Sequence, residues 1–153
     1  MKTCFFIGHR EAKENMLPAL AQEVERHITE YGVTEFVVGH YGGFDHLAAS
    51  VVREAKKRHP EIILTLLLPY HPLDQPIPVS EGFDGTFYPP GMETVPKRAA
   101  IVRANRYMVD HSTHLIAYVS HPSSGSREML EVALRRQRRG LIHVTNLAGW
   151  YPL

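Results

Sequence analysis

Positions 3–10 read Thr3-Cys4-Phe5-Phe6-Ile7-Gly8-His9-Arg10, an apolar run that ends in a glycine followed by two basic residues. The run does not alternate between polar and apolar residues, which predicts a strand over Thr3 to Ile7 that is buried on both faces, as in a parallel sheet. Ligands of parallel sheets bind beyond the carboxyl ends of the strands. The turn that follows this strand is therefore the first place to expect a site.

Short apolar segments alternate with amphipathic segments along the rest of the chain. The predicted strands are Thr3 to Ile7, Glu35 to Val38, Ile62 to Leu68, His114 to Val119 and Leu141 to Thr145; the predicted helices are Asn15 to Tyr31, Asp45 to His59, about Pro96 to Asp110, and Ser126 to Arg139. This order predicts an α/β, Rossmann-like three-layer domain with a parallel sheet of about five strands and helices on both faces. Residues 1–153 are expected to form one such domain. The proline-rich stretch from about Pro69 to Pro96 has no sustained period and predicts a long loop near the site.

Composition narrows the class of protein. Lys and Arg total 17 against 16 Asp and Glu, so the net charge of +1 gives no general attraction for a polyanion. The only cysteine, Cys4, lies in the first apolar run, where a core role is expected, and a cytoplasmic location follows from this cysteine usage. No apolar stretch approaches the roughly 20 residues of a membrane span, and no signal-peptide layout is present at the N-terminus.

Three loops at the predicted strand ends are candidates for phosphate binding. Each runs from a strand into small or polar residues just before a helix, where free N–H groups and the helix dipole favour an anion. They read Gly8-His9-Arg10, Gly39-His40-Tyr41-Gly42-Gly43-Phe44-Asp45, and Ser120-His121-Pro122-Ser123-Ser124-Gly125-Ser126. Neither of the two longer loops matches the GxGxxG fingerprint or the P-loop, which disfavours a nicotinamide enzyme or a P-loop NTPase. Tight turns and ordinary helix capping by Asp45 or serine are the alternatives.

The charged residues near these loops each allow two interpretations. Arg10 is expected to clamp a phosphate, or else to be a solvated loop residue. Arg103 and Arg106 are three residues apart and share one helix face. They are expected either to contact the ligand or to form a surface pair. Glu128 is the best acid/base candidate, although a carboxylate suits any first helical turn. A basic cluster near the end of the last predicted helix complements the helix dipole without a partner: Arg135, Arg136, Arg138 and Arg139.

The ten histidines show no metal-ligand spacing such as HExxH, and no set of cysteines is present to complete a metal site. No metal is therefore expected. No cofactor is expected beyond a nucleotide-like ligand. A membrane is not an expected partner.

Several of these segments resemble the SLOG superfamily, which joins the DprA/Smf DNA-processing proteins, the LOG phosphoribohydrolases and the YpsA-like proteins. The similarity lies in Val38-Gly39-His40-Tyr41-Gly42-Gly43-Phe44-Asp45-His46-Leu47-Ala48, in Arg103-Ala104-Asn105-Arg106, and in Ser124-Gly125-Ser126. The opening Phe6-Ile7-Gly8-His9-Arg10 is most similar to the YpsA-like branch, whose members are small ligand-binding domains. In this superfamily a homodimer with shared loops is ordinary.

The resemblance implies a protein that binds a nucleotide or nucleotide derivative, with a role as a ligand sensor as one form of this function. The implied ligand-binding residues are Gly8, His9, Arg10, Gly39, Gly42, Gly43, Asp45, Arg106, Ser124, Gly125 and Ser126. The LOG branch implies a nucleoside 5′-monophosphate phosphoribohydrolase with Glu128 and Arg103 as catalytic residues, but residues 121–128 lack that branch's glycine pair, which argues against hydrolysis. The DprA branch implies single-stranded DNA binding, which the near-neutral charge disfavours.

Overall fold

The first apolar run forms the central strand of the fold. In the computed structural model, which describes residues 1–79, 82–120 and 125–149, strand β1 spans Thr3–Gly8. Cys4 and Phe6 point to one side of the sheet, and Phe5 and Ile7 point to the other. All four side chains are at most 5% exposed, which explains why the run lacks polar alternation. Burial also raises the pKa of the Cys4 thiol, as expected of a core cysteine.

The predicted strands and helices follow in the predicted order, with one additional strand, β4 (Gly85–Phe87). Their bounds are α1 (Leu17–Thr29), β2 (Glu35–Val38), α2 (Gly43–Lys56), β3 (Ile63–Leu67), β4 (Gly85–Phe87), α3 (Lys97–His111), β5 (His114–Tyr118), α4 (Gly125–Arg138) and β6 (His143–Asn146). Two short 3₁₀ turns, Glu14–Met16 and Met92–Thr94, precede α1 and α3.

The six strands form one parallel sheet in the order β4-β3-β2-β1-β5-β6. Helices α1 and α2 pack on one face through a core that includes Leu20, Val24 and Val52. Helices α3 and α4 cover the other face through a second core that includes Ala104 and Leu130. The predicted Rossmann-like, three-layer α/β fold is confirmed.

Two local features differ from the sequence-based prediction. Strand β4 lies within the stretch predicted as a loop. It is a strand because its three residues pair with β3, with Thr65 opposite Gly85. Helix α2 begins at Gly43, so Asp45 lies in its first turn and Gly42 occupies the cap position that was predicted for Asp45. Strand β4 brings the sheet to six strands where about five were expected.

Within the described ranges, no helix combines the length and the apolar character that crossing a membrane requires. The same ranges contain no group of three or more His, Cys, Asp and Glu side chains that could hold a metal ion.

Candidate functional site

The strand order reverses at β1, which places a crevice between the carboxyl ends of β1 and β5. From β1 the chain builds outward through β2 and β3, and it later returns to add β5 on the other side. Loops that leave such a pair of strands diverge to opposite faces, and ligands of open α/β sheets bind in the gap. A cavity of about 370 Å³ occupies this position; it is lined by Phe6, Ile7, Gly8, His9, Arg10, Glu11, Tyr41, Asp45, Ile101, Val102, Asn105, Gly125, Ser126, Glu128 and Met129. We refer to this cavity as the crevice.

His9 joins the loops that follow the two strands. Its backbone N–H donates to the carbonyl of Tyr118 at 3.2 Å, and its Nε2 accepts a hydrogen bond from the backbone N–H of Ser120 at 2.8 Å. A neutral ring that accepts at Nε2 carries its proton on Nδ1. His9 is 3% exposed and packs edge-on against Tyr118. It therefore contributes to the crevice chiefly as a structural wall.

Arg10 follows at the exposed rim of the crevice. Its side chain makes no hydrogen bond or ion pair to any residue in the described ranges, although its charge acts on Asp45. A guanidinium left open beside a cavity is suited to bidentate binding of a phosphate or carboxylate.

The first turn of α4 forms the opposite wall of the crevice. Gly125 and Ser126 line it, and the first N–H groups of a helix have no acceptor within the helix. The Ser126 hydroxyl donates to the carbonyl of Gly8 at 2.9 Å, so its proton is engaged in fastening α4 to β1. Its oxygen lone pairs and the positive end of the helix dipole remain available for a ligand. The predicted contact of Ser124 lies outside the described residues, as do Ser123 and His121.

Gly8 is required by packing at the end of β1. A Cβ at this position would clash with Cγ of Phe44, whose side chain is 1% exposed. The missing side chain lets the first turn of α2 approach β1 closely. Gly8 also lines the crevice, so one glycine serves the core and the candidate site.

Gly42 and Gly43 pack against the loop after β1, and neither is among the described residues that line the crevice. The Gly43 N–H donates to the Arg10 carbonyl at 2.8 Å, and a Cβ on Gly43 would lie 2.5 Å from that oxygen. Gly42 has a φ of 134°, which a side chain would strain. The glycine pair thus allows the chain at residues 10–12 to cross the start of α2. Phosphate binding by this pair stays a prediction.

Asp45 lies in the inner part of the crevice with its carboxyl group held in one orientation. Its Oδ2 accepts a hydrogen bond from the Tyr41 N–H at 3.2 Å. Burial raises the pKa of the carboxyl to about 7, while the Tyr41 hydrogen bond and the charge of Arg10 oppose that rise. Gly39 lies against the carboxyl, since a Cβ there would be 2.7 Å from Oδ2. Near neutral pH the group exchanges between acid and carboxylate.

Arg103 and Arg106 share a helix face, as their spacing predicts, but that face is turned away from the crevice. Both line an outer groove between α3 and α4, whose other lining residues are Val102, Glu128, Met129, Glu131, Val132 and Arg135. Arg106 pairs with Asp110 at 3.2 Å. Glu128 lines both the groove and the crevice. The structure therefore brings Glu128 to the strand-end loops and leaves the two arginines beyond it.

The crevice also contains residues that were not proposed as ligand contacts from the sequence. Glu11 and Asn105 are the polar examples, and Ile101 and Met129 add apolar surface. Ile101 and Asn105 are four apart on α3, so they share a helix face. That spacing is visible in the sequence, whereas the direction of the face is not.

Comparisons with known proteins support the fold. No protein-family model matches the chain, and no curated protein matches it. Among solved structures, DNA processing protein A from Helicobacter pylori, described for its single-stranded DNA binding mode, gives a TM-score of 0.60 at 16% identity, covering 95% of this chain and 76% of that chain. The Moco carrier protein of Chlamydomonas rheinhardtii gives a TM-score of 0.48 at 19% identity, covering 97% of this chain and 93% of that chain.

At these identities the similarity shows the fold alone. The DNA processing protein shares the Rossmann-like fold of this chain. The SLOG resemblance and its YpsA-like branch stay predictions.

Proposed function

We propose that this protein binds a nucleotide or a related phosphate-bearing small molecule in the crevice between β1 and β5. The observation that carries the proposal is a set of open polar groups around one cavity. Arg10, Asn105 and Glu128 make no side-chain hydrogen bond or ion pair within the described ranges, and Asp45 uses only Oδ2. Polar side chains that converge on one cavity, and that no described protein group engages, favour a polar ligand there.

The charges of the crevice favour a molecule with two kinds of polar group. Arg10 and the N-terminus of α4 supply positive potential that suits a phosphate. Glu11, Asp45 and Glu128 supply carboxyl groups, and carboxylates in Rossmann-like sites accept hydrogen bonds from ribose hydroxyls. A volume of about 370 Å³ lies in the range of small-molecule sites. A nucleotide carries both a phosphate and hydroxyl donors.

Calorimetric titration with AMP, ADP-ribose and NAD tests the proposal. We expect at least one of them to bind, and Arg10→Ala to weaken that binding about ten-fold or more, as expected for loss of a charge-assisted hydrogen bond. Arg139→Ala is the matched control, since Arg139 lies just beyond the C-terminal end of α4, at the opposite edge of the sheet. The proposal fails if none of the three molecules binds, or if both variants bind as the wild type does.

Hydrolysis of the nucleotide is a second candidate, favoured by the position of Glu128 on the crevice wall with no partner in the described ranges. A carboxylate there could stabilise positive charge that develops on a ribose. Release of free base from AMP, lost in Glu128→Ala and retained in Glu131→Ala, is the expected result for an enzyme. Glu131 lines only the outer groove and pairs with Arg127 at 3.0 Å.

Single-stranded DNA binding is a further candidate function, suggested by the structural similarity to the DNA processing protein. Binding that depends on phosphate contacts weakens steeply as salt rises. Titration of a labelled oligonucleotide at two salt concentrations separates this function from small-molecule binding, because only the former requires many phosphate contacts. The YpsA-like assignment, a homodimer and a cytoplasmic location belong to the same proposal, and they rest on the sequence.

A further inference from the structure

A second, smaller cavity adjoins the crevice on the side of β2 and β3. Its volume is about 40 Å³, and it shares Tyr41, Asp45, Ile101 and Asn105 with the crevice. Its other walls are Gly39, Leu67, Pro69 and Ala104. The two cavities are therefore neighbouring compartments with a common wall, and we call the smaller one the inner compartment.

Asp45 is held at this common wall from two sides. The Tyr41 N–H binds Oδ2 at 3.2 Å, and Gly39 leaves room where a Cβ would lie 2.7 Å from the same oxygen. Oδ1 has no hydrogen-bond partner among the described residues. The Asn105 side chain likewise makes no hydrogen bond in these ranges. Oδ1 of Asp45 and the side-chain oxygen of Asn105 can therefore each accept a hydrogen bond from a group that enters this space.

Apart from Tyr41, the other walls of the inner compartment are apolar. Leu67 is 2% exposed and Ala104 is fully buried. A space of about 40 Å³ is large enough for a small polar group, since a water molecule needs roughly 10–15 Å³. A purine ring does not fit, whereas a hydroxyl or an amino group does.

We propose that the inner compartment selects nucleotides that insert a hydroxyl or amino donor between Asp45 and Asn105. The inference rests on the proposed function, because the phosphate in the crevice positions the donor. A site built to bind a donor rejects an analogue that lacks it, because the acceptors that line the site then lose their partner.

Calorimetry with AMP and three analogues tests this selection. The analogues are 2′-deoxy-AMP, 3′-deoxy-AMP and purine riboside 5′-monophosphate, and each lacks one donor of AMP. We expect one of them to bind about ten-fold or more weakly than AMP, while the other two bind within about three-fold of it. That pattern identifies the inserted group.

Two variants connect the selection to the inner compartment. In Asn105→Ala and in Asp45→Asn we expect the ratio of the AMP affinity to the affinity of the rejected analogue to fall to about three or less. A ratio is insensitive to a general loss of folded protein. Asn15→Ala is the matched control, because Asn15 is an exposed asparagine in the 3₁₀ turn before α1; it should keep the wild-type ratio.

The outcomes separate this inference from the proposed function. If AMP and all three analogues bind equally well, the crevice binds nucleotides but the inner compartment selects nothing, and the inference is wrong. A ratio that persists in both variants also overturns it. If neither AMP nor any analogue nor the wider panel of ADP-ribose and NAD binds, the proposed function fails and the inference fails with it.

Discussion

The Ser126 hydroxyl donates a hydrogen bond to the Gly8 carbonyl at 2.9 Å, so the first turn of α4 is fastened to the end of the central strand. These two residues are 118 positions apart, and they form opposite walls of the crevice. This hydrogen bond therefore helps to fix the position of the α4 N-terminus relative to β1.

Replacing Ser126 by Ala should loosen this connection. The Gly8 carbonyl would lose its donor, and we expect the free energy of unfolding to fall by about 1 kcal/mol. Nucleotide affinity should fall as well, since the α4 N-terminus faces the phosphate in the proposed complex. Urea unfolding measures the first effect and calorimetry the second. Ser50→Ala on the exposed side of α2 is the control; equal effects of the two substitutions would contradict the prediction.

Gly8→Ala should destabilise the protein through the core. The new Cβ would meet the Phe44 ring, which cannot move freely because it stacks on Tyr118 at 6.1 Å and also packs against Phe6. Overpacking of this kind costs about 1–3 kcal/mol of unfolding free energy. Gly85→Ala is a matched control, since no atom lies within 4 Å of a Cβ there. The urea midpoints of the Gly8→Ala and Gly85→Ala variants test this prediction. Similar midpoints would show that the Phe44 ring accommodates the new methyl group.

The sequence predicted the buried strands because continuous apolar runs bounded by glycine are local signals, as in residues 3–8. Strand β4 has no such signal. Its residues Gly85 and Thr86 are exposed, and the strand forms because β3 offers an unpaired edge. Pairing of this kind depends on the tertiary structure, so periodicity within one segment cannot detect it.

Only part of the candidate site could be predicted from the sequence, because the other part also depends on the tertiary structure. The loops after β1 and β5 could be placed at one edge once the sheet was parallel. The role of α3 depends on which flank of its buried stripe of Ala100, Ala104 and Met108 faces the crevice. Asn105 lies on one flank and Arg103 on the other. Helical spacing gives the two flanks but not the direction in which each points.

Asp45 should make stability depend on pH. Its folded-state pKa of about 7 lies above the ordinary value of 3.8. The folded protein therefore holds this proton more tightly than the unfolded chain, so stability is lost as pH rises from about 4 to 7 and is constant above that range. Asp45→Asn removes this loss, because the amide carries no charge. We expect its stability relative to the wild type to increase between pH 4 and pH 7.

Thermal unfolding of wild type and Asp45→Asn across this range measures the effect. Asp74→Asn is the control, because Asp74 is exposed. A difference between wild type and Asp45→Asn that is the same at pH 4.5 and pH 7.5 would contradict the assigned cause.

A cluster of aromatic rings at the other end of the sheet should give the opposite dependence of stability on pH. His27 is fully buried, its ring centroid lies 5.4 Å from that of His114, and His143 and Tyr31 complete the cluster. Burial lowers the pKa of His27 and of His114 to about 4, and the neighbouring histidines, Arg26 near His27 and Lys2 near His114 act in the same direction. The Glu23 carbonyl, which accepts from Nδ1 of His27, opposes the shift, and the Glu23 carboxylate lies 3.3 Å from that nitrogen.

For these histidines the folded-state pKa lies below the ordinary value of 6.5, so the folded protein resists protonation. Their contribution to stability is complete above pH 6.5 and is lost as pH falls toward 4. His27→Phe fills a similar volume without a titrating group, so its stability should fall less than that of the wild type between pH 6.5 and 4. Acid titration followed by circular dichroism measures this slope. His46→Phe, at an exposed position outside the cluster, should retain the wild-type slope; a slope unchanged in His27→Phe would show that acid unfolding begins elsewhere.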